Sequence, residues 1–380
     1  MILYSVVLRL LSLVLFFVPK VRERVTFERK NHSDPCSRKF AAPADIAFEF
    51  SSEGEFQQVL PLITDGLANR MKIELIYFSP SVEKGVKELA EKNPEQIRAL
   101  RYPLLTGGFL RWITARKLVL VRYDLFPEFL FWAGKYGNEL NMVWVTFKKE
   151  RVKNISVSWW KKKFLSSSRK IIYATSDDAR MGKEMGFAGE SFDFRIEQIS
   201  RRLAGKAGKF AKIFPEYESL GFQKYPREKR LILGNAWPSD LILIDTLPED
   251  FYVLVVPHKL EPEIIRAFEE KLGNRAVVLN KKGVLCELYA DFGKAYVGGG
   301  FETSIHSVLE PLISGADQIS CGPINFRSTE FDIAKSAGRL VVVENSQEFS
   351  DWLRAPLVVG PGDVKISTEY LTRRKAILSC

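Results

Sequence analysis

Tyr296-Val-Gly-Gly-Gly-Phe-Glu-Thr-Ser-Ile-His-Ser-Val-Leu-Glu-Pro311 is the stretch whose reading decides the fold. The apolar run Ala295 to Val297 reads as the end of a buried strand. Three glycines follow, and residues without a Cβ let the backbone turn tightly and approach a ligand. His306 to Gly315 then reads as a helix start, with Glu310 in its first turns. A strand, a glycine turn and a helix N-terminus together make an anion site, because free N–H groups and the helix dipole both favour phosphate. Read as packing alone, the same residues are a tight strand-to-helix turn, and the glycines do not separate the two readings. The carboxylate of Glu310, placed to accept hydrogen bonds from ribose hydroxyls, points to a nucleotide-sugar site.

The same pattern recurs outward from this stretch. Strand Arg230 to Leu233 leads into Gly234-Asn-Ala-Trp-Pro-Ser239, and strand Tyr252 to Val256 into Pro257-His-Lys-Leu-Glu261. Ala276 to Leu279, Gln318 to Cys321 and Leu340 to Val343 read as further strands, and Glu369 to Cys380 as a basic helix. In the first half, Ile46 to Phe50, Lys72 to Phe78, Lys117 to Arg122, Met142 to Phe147 and Ile171 to Ala174 read as strands. Strands alternating with longer helices are the mark of βαβ units and a parallel sheet. Between the halves, Gly205 to Tyr225 is polar, basic and broken by Gly and Pro. The expected division is a membrane anchor at 1–24, a first domain at 25–204, a linker at 205–228, a second domain at 229–365 and a terminal helix at 366–380.

Two acidic positions in the first half stand at strand ends, where open α/β sheets bind ligands. Ser51-Ser-Glu-Gly-Glu-Phe56 presents Glu53 and Glu55 after the first strand, and Asp124 follows Lys117 to Arg122 on the same edge. A carboxylate there acts as a general base if its surroundings raise its pKa. The plainer reading of Glu53 and Glu55 is helix capping, since acids in a first turn complement the dipole.

The 380 residues exceed the usual size of a single core, and a composition 46% hydrophobic and 27% charged is that of a folded protein. A net charge of +10 calls for an acidic partner: nucleic acid, an anionic membrane or a phosphorylated substrate. Cys36, Cys286, Cys321 and Cys380 form no C-x-x-C pair, so neither zinc nor a disulfide framework is expected. His32, His258 and His306 are the only histidines, and no Asp-x-Asp pair is present, so no metal or other cofactor is expected. Met1 to Val18 is apolar apart from Arg9, Tyr4 and two serines, and Pro19-Lys-Val-Arg-Glu-Arg24 follows it. A signal peptide carries its positive charge first. The run is short of the roughly 20 residues of a full span. It reads as a membrane anchor with its basic flank on the cytoplasmic side, or as a buried first helix. Lys148 to Lys170 is the most basic segment, with Trp159, Trp160 and Phe164 interleaved, which fits a headgroup-level membrane face or a nucleic-acid patch.

Taken in order, Ser52-Glu-Gly-Glu55, Asp124-Leu-Phe-Pro127, Phe192-Asp-Phe-Arg195, Gly234-Asn-Ala-Trp-Pro238, Val256-Pro-His-Lys259, Val297-Gly-Gly299, His306-Ser-Val-Leu-Glu-Pro311 and Gly322-Pro323 span nearly the whole chain. In order and spacing the chain resembles a divergent member of the 3-deoxy-D-manno-octulosonic acid (Kdo) transferases of lipopolysaccharide synthesis. The resemblance implies the GT-B fold: two Rossmann-like domains facing across a cleft, here with an N-terminal apolar anchor helix. It implies a CMP-Kdo donor on the C-terminal domain and a lipid A precursor on the N-terminal one. Glu55 falls where the family keeps its catalytic base, and Asp124 on the acidic position of the E-L-W-P-N motif. His306 opens the H-N-P-L-E-P motif and Glu310 falls on its acidic position, as the ribose contact.

The departures lie in the donor half. The family's G-S-T-H turn is Gly234-Asn-Ala-Trp, so Asn235 stands in for the hydroxyls. Its P-R-H-P is Pro257-His-Lys-Leu, so the phosphate contact passes to His258 or Lys259. The expected reaction is an inverting transfer with Glu55 as base, and with N–H groups at Gly299 and Gly300 and the Lys259 cation stabilising the departing CMP. The expected partners are CMP-Kdo, a lipid A precursor and the anionic cytoplasmic face of the inner membrane, with no nucleic acid. The alternatives are another activated sugar or envelope glycolipid on the same fold, and a non-catalytic membrane-associated homologue.

Overall fold

The computed structural model describes residues 14–31, 33–122, 124–135, 137–147, 156–206, 210–273, 276–324, 330–357 and 367–379. The chain forms two compact units, one of residues 1–195 with 367–380, the other of residues 196–366.

The first unit holds strands β1 (Ile46–Phe50), β2 (Ile73–Tyr77), β3 (Ile97–Arg101), β4 (Lys117–Val121), β5 (Glu139–Val145), β6 (Lys170–Tyr173) and β7 (Glu190–Ser191). Their order is β3-β2-β1-β4-β5-β6-β7, and every pairing is parallel. Helices cover a parallel sheet on both faces, so its strands carry long apolar runs, as in Leu118-Val-Leu-Val121 of β4. The strand order reverses between β1 and β4, whose register pairs Phe48 with Val119 and Glu49 with Leu120. Strand β3 lies outside the sequence expectation because Ile-Arg-Ala-Leu-Arg carries two arginines. Both are buried, and Arg98 is paired across the sheet with Glu74 of β2 through Nε and Nη2.

The expected anchor falls mainly on residues 1–13, which lie outside the described residues. Among the described residues no helix is long and apolar enough to cross a membrane. Its expected basic flank is instead the start of a helix, Pro19–Lys30, docked on the first unit. Arg24 donates to the carbonyls of Phe78 and Tyr102 at 2.8 and 2.6 Å, and Glu28 accepts the N–H groups of Leu105 and Thr106, both at 2.9 Å. Arg24 therefore serves the fold rather than a headgroup. The closing helix, Ser367–Leu378, returns to this same unit. Its Tyr370 is buried against Phe192 and Phe194 and donates to Asp65 at 2.5 Å.

The second unit holds β8 (Arg230–Ala236), β9 (Tyr252–Pro257), β10 (Val277–Val278), β11 (Lys294–Val297), β12 (Gln318–Cys321) and β13 (Leu340–Val342), in the order β10-β9-β8-β11-β12-β13, again wholly parallel. Both sheets thus show the doubly wound order, with a reversal beside the first strand of each. The stretch expected as a linker is folded: helix Arg195–Lys206 leads into short helical turns over 210–229, and Phe214 and Phe222 are buried in this unit's core.

Candidate functional site

Doubly wound sheets bind ligands beyond the carboxyl ends of their strands, where the order reverses. In the first unit that place lies after β1 and β4. The chain leaves β1 through Ser51 and enters helix Glu53–Ala68 at once. Ser52 caps that helix, accepting from the Glu55 N–H at 3.4 Å, while Glu55 Oε2 accepts from the N–H groups of Ser51 and Ser52 at 2.7 and 3.1 Å. This is a complete capping box. The capping reading of Glu55 is therefore met, and the same bonds fix its carboxylate at the strand end with Oε2 engaged. Glu53 is exposed and bonds only its neighbour Gln57 among the described residues.

Asp124 follows β4, close enough for the Glu55 charge to act on it. Burial first, and then Glu55, push its carboxyl up to about 6. A third carboxyl, Glu49 of β1, joins them from below. It is 1% exposed, and neither of its oxygens has a donor. Burial, then Asp124 and Glu55, hold it well above the ordinary carboxylate range. In the same unit, the guanidinium of Arg122 lies 3.3 Å from the ring centroid of Trp144 and that of Arg195 lies 4.4 Å from it. Arg122 and Trp144 hold φ of 69° and 58°, a left-handed conformation that bulky residues adopt at a cost. Arg195 is also paired with Asp193. Sequence reading quoted the Phe192 to Arg195 motif but gave neither Glu49 nor Trp144 a part.

In the second unit the reversal lies between β8 and β11. The three glycines after β11 are there largely for packing. A Cβ on Gly298 would strike the carbonyl oxygen of Asn235, and one on Gly300 would stand 2.7 Å from the Gly322 backbone. Gly299 and Gly300 take φ of 85° and 87°. Their N–H groups are not free for a phosphate. Gly299 donates to Asp240 Oδ2 at 3.1 Å and Gly300 to the Thr303 carbonyl at 2.7 Å. That corrects their expected role: the turn closes on itself and satisfies its own donors. Buried Asp240 organises it, also accepting the Trp237 N–H at 2.7 Å and the Tyr296 hydroxyl at 3.1 Å, and burial pushes its carboxyl up to about 6.

Around this turn three rings stack. His258 and His306 lie 4.2 Å apart, Trp237 and His258 4.7 Å apart. Trp237 Nε1–H donates to His306 Nε2 at 3.0 Å, which leaves the proton of neutral His306 on Nδ1. Burial, then His258, lower His306 to about 4, and burial, then Lys259, lower His258, so both rings are neutral at pH 7. The exposed Lys259 ammonium lies 6.0 Å from the Trp237 ring centroid. Asn235 stands at the strand end with φ 53°, a conformation asparagine tolerates. Glu310 lies in the first turn of helix Leu309–Ser314, shorter than expected, and its charge acts on Arg202, Cys286 and Tyr289. The structure thus gathers His258, His306 and Lys259 around Trp237. Trp237 was quoted in the sequence only as a departure from a motif.

Residues 19–195 match the family model described as 3-deoxy-D-manno-octulosonic-acid transferase. The N-terminal unit belongs to the Kdo transferase family. That unit carries the glycosyltransferase domain of this family, and Glu55, Asp124 and the Phe192 to Arg195 motif all fall inside the matched residues. No curated protein matches the sequence. Among solved structures, the UDP-GlcNAc 2-epimerase of Methanocaldococcus jannaschii is similar with a TM-score of 0.61 at 12% identity, over 87% of this chain and 99% of its own. The UDP-GlcNAc 2-epimerase of Neisseria meningitidis, bound to UDP-GlcNAc, is similar with a TM-score of 0.59 at 11% identity, over 88% and 94%. These likenesses are of fold, two parallel-sheet α/β units of GT-B type. The C-terminal CMP-Kdo binding domain of WaaA from Acinetobacter baumannii matches 45% of this chain and 98% of its own at 16% identity, with a TM-score of 0.33, a likeness that carries no argument.

Proposed function

We propose that the chain transfers Kdo from CMP-Kdo to a lipid A precursor, with inversion at the anomeric carbon and Glu55 as general base. The observation that carries this reading is Glu55 itself. It stands at the carboxyl end of β1 beside the strand reversal, inside the residues that match the family, with one carboxyl oxygen fixed by two backbone N–H groups. The other oxygen is the one to take the acceptor's hydroxyl proton as that oxygen bonds to the anomeric carbon and the bond to the cytidylate phosphate breaks. Asp124 neighbours it and feels its charge. The donor belongs to the second unit, at the end of β8 and β11. There the Lys259 ammonium meets the phosphate charge that leaves with CMP, and His258, His306, Asn235 and Glu310 line or flank the nucleotide. With the glycine N–H groups already engaged, Lys259 carries more of that charge than a free turn would require.

The membrane part of the proposal has support in the first unit. Leu110, Phe131 and Trp159 are exposed large apolar side chains on helices Phe109–Trp112, Pro127–Ala133 and Trp159–Ser167, which pack in succession. Trp159 is 72% exposed, and Lys162 and Lys163 beside it are also exposed. Lys161, by contrast, is buried and donates to the Thr146 carbonyl at 2.7 Å. The basic positions at 148–153 lie outside the described residues. Exposed indole and adjacent lysines fit the anionic cytoplasmic face of the inner membrane, where each cation contributes about 1 kcal/mol. An anchoring role for the apolar start of the chain is part of the same proposal.

One observation favours a second reading, the same fold acting on a different activated sugar. Trp237, stacked with two neutral histidines, stands where the family keeps its G-S-T-H turn. The test is a mass shift on a lipid A precursor incubated with enzyme and CMP-Kdo, with thermal shifts for CMP-Kdo and UDP-sugars alongside. A shift in melting point with a UDP-sugar and none with CMP-Kdo selects the second reading.

A further inference from the structure

Glu49 enters β1 as the only charged residue of Ile46-Ala-Phe-Glu-Phe50. Its registered neighbours are Ile76 on one side and Leu120 on the other, both apolar. The charges that reach it come from two places. Asp124 faces it from the segment after β4 and Glu55 from the helix after β1, and both are acidic. Both oxygens of Glu49 and Oδ2 of Asp124 are buried without a hydrogen-bond donor. A carboxylate offers only acceptors, so two facing carboxylates cannot satisfy each other. A buried ionised group without a donor or counter-charge is strongly disfavoured. One proton placed between them removes both faults, because a protonated carboxyl donates and its ionised neighbour accepts.

We propose that Glu49 stays a neutral carboxylic acid that donates its hydrogen bond to Asp124, and so is a positioning residue that keeps Asp124 ionised and aimed at the reaction. The catalytic part of this inference rests on Asp124 acting in the transfer proposed above. The protonation part does not. The raised proton affinity of Glu49 agrees with it, and the Glu49 hydrogen bond acts to lower that of Asp124, against the effects of burial and of Glu55. Through Asp124 the pair extends the base from one carboxylate to three linked ones.

The test uses the full chain, wild type against Glu49→Gln and Glu49→Leu. Gln keeps a neutral donor of the same length, whereas Leu removes it. The first readout is the infrared difference spectrum at pH 8. Wild type is expected to show the carbonyl band of a protonated carboxyl that Glu49→Gln lacks. The second readout is the pH profile of kcat/KM for transfer. Glu49→Leu is expected to move the acidic limb up by about one unit, a loss of about tenfold at pH 6 that largely disappears at pH 8, while Glu49→Gln restores the wild-type limb. No such band at pH 8, or a Glu49→Leu limb that coincides with wild type, overturns the inference. If Glu49→Leu does not fold, the infrared comparison of wild type with Glu49→Gln decides the protonation state. If wild type transfers nothing from CMP-Kdo, the functional reading fails while the infrared result still stands or falls by itself.

Discussion

Glu55 and Asp124 differ in what holds them, and that difference sets what their substitutions will do. Glutamine is as good as glutamate at the third position of a capping box. Glu55→Gln should therefore leave the melting temperature within about 1 °C, because the N–H groups of Ser51 and Ser52 keep an acceptor, while transfer falls by about 10²–10⁴ for loss of the base. Retained activity in a folded Glu55→Gln protein would remove it from the chemistry. Asp124 is raised from 3.8 to about 6 on folding, so its contribution to stability is present at low pH and is lost as pH rises through about 6. Asp124→Asn has no such dependence. Wild type should gain on that variant as pH is lowered from 7.5 to 5 in paired thermal melts, and a constant gap would contradict the raised value. The strand-end placement of both residues was legible in the sequence because each follows an apolar run that ends in a turn. Glu49 was not, since an acid inside a strand reads as one on its solvent face until the neighbouring strand is known. Trp237 was hidden for the opposite reason: a ring in a turn gives no sign of the two imidazoles it meets.

Strands and turns were read with uneven success, for physical reasons. Most strands announced themselves as uninterrupted apolar runs, the pattern of a sheet covered on both faces. Strand β3 did not, because Arg98 and Arg101 made a buried strand look like a polar surface. The guanidinium of Arg98 is held by Glu74 and the Trp112 carbonyl and lies 4.1 Å from the Trp112 ring centroid, and Glu74 also accepts from Thr114 Oγ1 at 2.6 Å. Removing one partner strands a buried charge, so Arg98→Met should cost about 3–5 kcal/mol in urea unfolding. Arg98→Met combined with Glu74→Leu should cost less than the two single losses summed, and strict additivity would show that the pair is not coupled. The glycine turn after β11 was read as an approach to a ligand, whereas Gly298 and Gly300 pack on the backbone of Asn235 and Gly322, and its hydrogen bonds could not be foreseen. The partner of Gly299, Asp240, lies 59 residues earlier.

The whole molecule is a first unit interrupted by a second one. Chain order alone suggested a succession of segments with a basic helix left over at the end, because nothing in Ser367–Leu378 states where it docks. Tyr370, buried against Phe192 and Phe194, settles that. Removing residues 367–380 deletes this aromatic contact and the bond from Lys117 Nζ to the Ser379 carbonyl. Burial of one such ring is worth about 3–5 kcal/mol, so the melting temperature of the first unit should drop by roughly 10 °C. A truncated protein that melts with the full chain would show the helix to be a passive tail. Not every cation faces a partner, since Arg24, Arg98 and Lys161 each serve the fold. During synthesis the ribosome delivers residues 1–195 long before the segment that completes their core. The nascent first unit must wait, with Phe192 and Phe194 uncovered, until helix Ser367–Leu378 clears the exit tunnel. A premature stop codon between residues 196 and 366 therefore harms the half already made as well as the half it cuts short.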